Sequence, residues 1–134
     1  MSDNENRYLN PEGLWRSPGY VHVVETRATR MLYLSGQAPL DAQGNLVAPG
    51  DMAGQAEQVF QNIGTALAAA GASFGDVVKL TYYVADLARM QAVRDVRDRY
   101  FTNRDRMPAS SAIGAALIHP EWLLEVDVVA ALYD

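Results

Sequence analysis

Between Asp51 and Ala70, apolar residues fall at Ala56, Val59, Phe60, Ile63, Leu67 and Ala70, the spacing of one helix face. Asp51 suits the N-cap region and Gly71 the C-cap of that helix. Its polar positions Gln55, Glu57, Gln58 and Gln61 read as the exposed face. A second helix is predicted over Ala88–Phe101, with Met90, Val93, Val96, Tyr100 and Phe101 inward. Its remaining residues, Arg94, Asp95, Arg97, Asp98 and Arg99, read as a solvated charged face. The period changes to two over Val77–Ala85, a strand with Val78, Leu80, Tyr82 and Val84 on one side. Tyr20–Thr26 and Arg30–Ser35 are two more strand candidates, predicted to pair as a hairpin. Gly36 then breaks the pattern, as at a bulge or a close backbone approach.

Two final apolar runs, Ser110–Ile118 and Leu123–Leu132, flank His119-Pro120-Glu121-Trp122. Proline cannot donate a ladder hydrogen bond, so a turn and a C-terminal hairpin are predicted there. In the second run Leu124, Val126, Val128 and Ala130 point one way, and Glu125 and Asp127 the other. If Ile118 pairs with Leu123, Glu125 faces Ala116, Asp127 faces Gly114, and Ser110 and Ala112 share that face. Ser110 and Glu125 then lie roughly 20 Å apart, at about 3.3 Å per residue. The element order predicts an α+β protein with helices on one face of a single sheet.

With 134 residues, 49% of them hydrophobic, the chain reads as an arm over 1–18 and one domain over 19–134. Leu14 and Trp15 of the arm are expected to dock on the body. A net charge of −5, with no basic cluster interleaved with aromatics, argues against a nucleic-acid partner. The chain has no cysteine, which excludes disulfides and thiolate chemistry, and two histidines alone argue against a zinc site. No glycine-rich phosphate loop and no Ser-His-acid order are visible. The polar start and the lack of a long apolar run predict no membrane partner and a cytoplasmic location.

Several segments, taken in order, resemble the Rid (YjgF) family. Pro108-Ala109-Ser110-Ser111-Ala112-Ile113-Gly114 followed by Leu124-Glu125-Val126 resembles its C-terminal signature. Leu34-Ser35-Gly36-Gln37-Ala38-Pro39 resembles its Ser-Gly-Gln-x-Pro segment, and Gln55–Ile63 and Ala69–Lys79 resemble its first helix and the following turn and strand. The resemblance runs from about Tyr20 to the C-terminus. It implies a chorismate-mutase-like α+β fold, a homotrimer, and a small-molecule cleft between adjacent subunits. It implies hydrolytic deamination of reactive enamine or imine metabolites, a damage-control role, without a cofactor. Glu125 would be the catalytic residue that activates water. Tyr20, Ser35, Gly36, Ser110 and Ala112 would bind substrate. The chain departs from the pattern at Ser110, where deaminating members carry an arginine that grips the substrate carboxylate, and serine does not replace a bidentate guanidinium. Arg106 and Arg94 are the candidate substitutes. A non-catalytic small-molecule-binding or chaperone-like trimer is the alternative to the enzyme, and a ribonuclease or translation inhibitor ranks third.

Overall fold

The computed structural model describes residues 5–134, so the first four residues of the arm lie outside the described residues. A short strand, β1 (Arg7–Leu9), pairs antiparallel with β2 (Val23–Glu25) in a two-stranded ribbon. The remaining elements are β3 (Arg30–Gln37), α1 (Met52–Ala69), β4 (Val77–Val84), α2 (Met90–Tyr100), β5 (Ala109–Gly114) and β6 (Leu124–Leu132). The four longer strands form one mixed sheet in the order β3-β6-β4-β5. The predicted pairing of the Tyr20–Thr26 segment with Arg30–Ser35 does not form, because the arm supplies β2's partner instead.

The predicted C-terminal hairpin is also absent. β5 pairs in parallel with β4, and β6 pairs antiparallel with β4 on its other side. The reason is visible in composition. β4 alternates buried and half-buried residues along its full length and can sit inside a sheet, whereas Ala-Ser-Ser-Ala-Ile-Gly of β5 is small, polar and more exposed, as suits an edge. Reaching a parallel neighbour needs a crossover, and α2 supplies it. Residues 115–123 then pass over the end of β4, pinned by Ala115 N–H to the Val84 carbonyl (3.1 Å) and Ala85 N–H to the Leu123 carbonyl (3.0 Å). Glu125 therefore faces Tyr83, and Asp127 faces Thr81.

Both helices cover one face of the sheet, as expected. Val59, Phe60, Ile63 and Leu67 of α1 and Val93 and Val96 of α2 join Leu80, Tyr82, Val84, Leu124, Val126 and Val128 in one core. α1 ends as predicted, with Gly71 at φ +79° just past its C-cap. Gly64 gives room to a ring and not to the sheet, since a Cβ there would lie 3.2 Å from Phe74.

Two polar residues sit where the sequence reading put solvent. Gln55 is completely buried, and Arg97 is 9% exposed. Gln55 donates to the carbonyls of Glu121 (3.1 Å) and Ala48 (3.3 Å) and accepts from the Leu123 N–H (2.8 Å). It thereby ties the 115–123 connection to α1 and fixes where β6 begins.

Candidate functional site

The sheet's two outer strands, β3 and β5, each border a cavity, and the predicted site residues divide between them.

At the β3 side, the register against β6 shifts between Leu34 and Gln37, so Ser35 and Gly36 form the bulge that the sequence suggested. The close approach is equally clear. A Cβ built on Gly36 would fall 2.1 Å from Glu125 Oε1 and 3.0 Å from Asp127 Oδ1. Glycine is needed here for space, since the Glu125 carboxylate lies directly over its α-carbon. A cavity of about 830 Å³ opens beside this contact, walled by Gly36, Gln58, Asn62, Ile118, Trp122 and Glu125 among others. Asn62 holds the far wall by donating to the carbonyls of Ala38 (3.1 Å) and Leu40 (2.9 Å), and itself accepts from Gln58 (2.9 Å). Among the described residues, Asp41 and Glu125 are the only charged ones lining this cavity.

Glu125 lies on the sheet face away from the helices, half-buried, with Asp127 two positions along. The Asp127 carboxylate beside Tyr83 raises that phenol above its usual value, with a smaller contribution from Glu125. The same face carries Tyr33, 76% exposed, and Ile113, 44% exposed.

At the β5 side, Ser110, Ser111 and Ala112 border a cavity of about 620 Å³ with Tyr20 and Trp15 of the arm and Gln91, Arg94 and Arg97 of α2. Ser110 and Ala112 pair with the buried Leu80 and Tyr82, so they lie on the helix side of the sheet. The expected shared face with Glu125 is therefore wrong, a direct result of β4 standing between the two strands. Ser110 is aligned with Leu80 and Glu125 with Tyr83, two strands and three positions apart. That corresponds to about 14 Å, on opposite faces, at the usual sheet spacings. Within one chain, then, Ser35, Gly36 and Glu125 come together, and Tyr20, Ser110 and Ala112 come together, but the two groups do not meet.

Trp15 is 70% exposed and Leu14 53% exposed, so the arm does not dock through them. The Trp15 carbonyl instead contacts His22 Nε2 at 2.5 Å, which holds the indole at the cavity mouth. Of the two candidate substitute cations, Arg94 lines this cavity, while Arg106 turns away and donates to the Gly75 carbonyl through Nε (3.2 Å) and Nη2 (3.1 Å). Sequence reasoning missed Arg97. Its signal was position: it falls one turn after Val93 on the apolar stripe of α2. Arg97 donates to Asp98 Oδ1 from Nε (3.1 Å) and Nη2 (2.9 Å). Nearby, the buried Tyr82 hydroxyl has no hydrogen-bond partner among the described residues, and burial pushes its phenol far above the usual range, with Arg97 pulling the other way. Among the described residues, no group of His, Asp or Glu could hold a metal ion, and no helix is long and apolar enough to cross a membrane.

The family model described as Endoribonuclease L-PSP matches residues 15–132. Protein DfrA of Myxococcus xanthus is 35% identical over 111 residues, covering 83% of each chain. A 2-iminobutanoate/2-iminopropanoate deaminase of Capra hircus is 36% identical over 101 residues, covering 75% of this chain and 72% of that one. Among solved structures, the Rid-family protein YyfB of Yersinia pestis superposes with a TM-score of 0.86 at 35% identity, covering 95% of this chain and 98% of that one.

Proposed function

The chain belongs to the endoribonuclease L-PSP family, which contains the Rid and YjgF proteins, and on that premise we propose that it hydrolyses small enamines or imines to a carbonyl compound and ammonia. The observation that carries this reading is the pairing of Gly36 with Glu125, a carboxylate held at a cavity by a backbone approach that no other residue allows. Glu125 takes a proton from a water molecule as its oxygen attacks the imine carbon, and the C=N electrons move to nitrogen. Glu125 returns that proton to nitrogen, and the hydroxyl proton of the resulting carbinolamine follows it as the C=O bond forms and the C–N bond breaks, so nitrogen leaves as ammonia. Substrate-facing backbone at Ser35 and Gly36 orients the reacting carbon. The deaminase of Capra hircus supports the reaction class.

The cleft is completed by a second copy of the chain. One chain's β3 side offers carboxylates and its β5 side offers arginines, so the two outer strands are complementary in charge. Joining unlike edges is a heterologous contact, which closes into a ring when the rotation permits. We infer a homotrimer in which Tyr20, Ser110 and Ala112 of one protomer face Glu125 of its partner, with Tyr33 and Ile113 of the open sheet face covered at the seam. A cytoplasmic location accords with the cysteine-free sequence.

The test generates 2-iminobutanoate with an amino-acid oxidase and follows ammonia release with and without the protein. Acceleration over spontaneous hydrolysis, lost in Glu125→Ala, is the expected result. No acceleration would reject the hydrolase and leave the non-catalytic binder.

A further inference from the structure

The cavity beside β5 has an unusual charge for this molecule. The chain carries a net charge of −5, yet Arg94 and Arg97 line the cavity and, among the described residues, no Asp or Glu does. The two arginines are not equivalent. Arg97 is buried and balanced by Asp98, which also lies 3.8 Å from Arg104 Nη2. Arg104 in turn donates to the Pro18 carbonyl at 3.3 Å, and a Cβ on Gly19 would lie 3.0 Å from Arg97 Nη2. Arg97 is thus a fixed wall that joins α2 to the arm.

Arg94, three residues earlier on the same helix, has a different standing. Its Nη1 donates to the neutral Gln91 side chain at 3.4 Å, and it makes no ion pair among the described residues. Asp95, the nearest acid in sequence, accepts from Gln91 Nε2 at 2.9 Å instead. A positive charge without a counter-ion therefore borders a cavity that also presents the hydroxyls of Ser17 and Ser110 and the phenol of Tyr20.

We propose that Arg94 grips the carboxylate of a small ligand in this cavity, with Arg97 as the positioning residue behind it and Ser110 as a hydroxyl donor. One unbalanced guanidinium matches a monoanion, which favours a carboxylate over a phosphate dianion, and its planar fork accepts a carboxylate through two parallel hydrogen bonds. The cation thus comes from α2, and β5 needs only small side chains that leave room for it. The ligand's identity rests on the imine-hydrolase reading; the anion site itself does not.

Trp15 lines the cavity, and the only other tryptophan is Trp122, so Trp122→Phe makes indole fluorescence a local reporter. Titration with 2-oxobutanoate should give a saturable change, and its neutral amide should give none at the same concentrations. Arg94→Gln should weaken 2-oxobutanoate binding at least tenfold, with Arg94→Lys in between. Arg99→Gln, on the Glu57 side of the helix, should leave binding unchanged. Equal binding of acid and amide, tighter binding of inorganic phosphate, or an Arg94→Gln variant with unaltered affinity would each overturn the assignment. The two readings separate cleanly. Anion binding as stated without imine hydrolysis removes the proposed function and keeps the site. Hydrolysis that depends on Glu125 with KM unchanged in Arg94→Gln keeps the function and removes the site.

Discussion

Replacing Gly36 by alanine tests the geometry around Glu125 most directly. The new methyl group would lie 2.1 Å from Glu125 Oε1, whereas ordinary contact begins at 3.4 Å, so the gap to be opened is 3.4 − 2.1 = 1.3 Å. The colliding atoms are the far end of a flexible side chain, so the carboxylate moves and the β3 backbone stays. Glu125 borders the adjoining cavity, which leaves it room to shift, and the cost in stability is on the order of 0.5–1.5 kcal/mol, that of an off-rotamer side chain. Catalysis is far less forgiving, since a displacement of about 1 Å can cost roughly 100-fold in rate. Gly36→Ala should therefore lower kcat for imine hydrolysis about 100-fold while thermal unfolding shifts by only a few degrees. The decisive arm is the double variant. If alanine acts by moving Glu125, adding Gly36→Ala to Glu125→Ala should cost nothing further. Wild-type turnover in Gly36→Ala, or a further large loss in the double variant, would refute the reasoning.

Other consequences can be measured independently. Gln55→Leu removes three hydrogen bonds from a buried site and strands the Leu123 N–H and the Glu121 carbonyl, so a loss of about 2–4 kcal/mol in urea unfolding is expected. Tyr100, where burial and the hydrogen bond to Glu57 push the phenol up to about 12, contributes stability that is complete below pH 10 and declines as pH rises from 10 towards 12, because the unfolded chain ionises first. Tyr100→Phe should flatten that slope in pH-dependent melts. Tyr33→Asp, on the open sheet face, should shift the species seen by light scattering from trimer to monomer without unfolding the protomer.

Much of this fold could be read from periodicity. The helical stripe of α1, the alternation of β4 and β6, the bulge at Gly36 and the α+β class all follow from side-chain spacing. Strand partners did not follow. Sequence adjacency pairs the Ser110–Ile118 run with Leu123–Leu132, but pairing is decided by which strand can be buried on both sides, and β4 is the better interior strand. That single misassignment also put Ser110 on the wrong face. Gln55 and Arg97 were misread for another reason. Each was judged by its polarity, although each falls on its helix's apolar stripe, where hydrogen-bond partners within reach satisfy it. The grouping of Ser35, Gly36 and Glu125 was implied by resemblance. The cationic side of the second cavity emerged only from α2's placement beside β5.

The sheet's interior strand β6 is also the last element of the chain, and it alone bridges β3 and β4. During synthesis β3 therefore stays without its sheet partner, and β4 keeps one edge open beside β5, until β6 has left the ribosome. A nascent chain stopped before Leu124 holds both helices and β3, β4 and β5 but not the strand that joins β3 to the β4–β5 pair, and it lacks Glu125. On the proposed reading, a copy that stops before Leu124 lacks both β6 and Glu125, and so can neither form the ring nor turn over substrate.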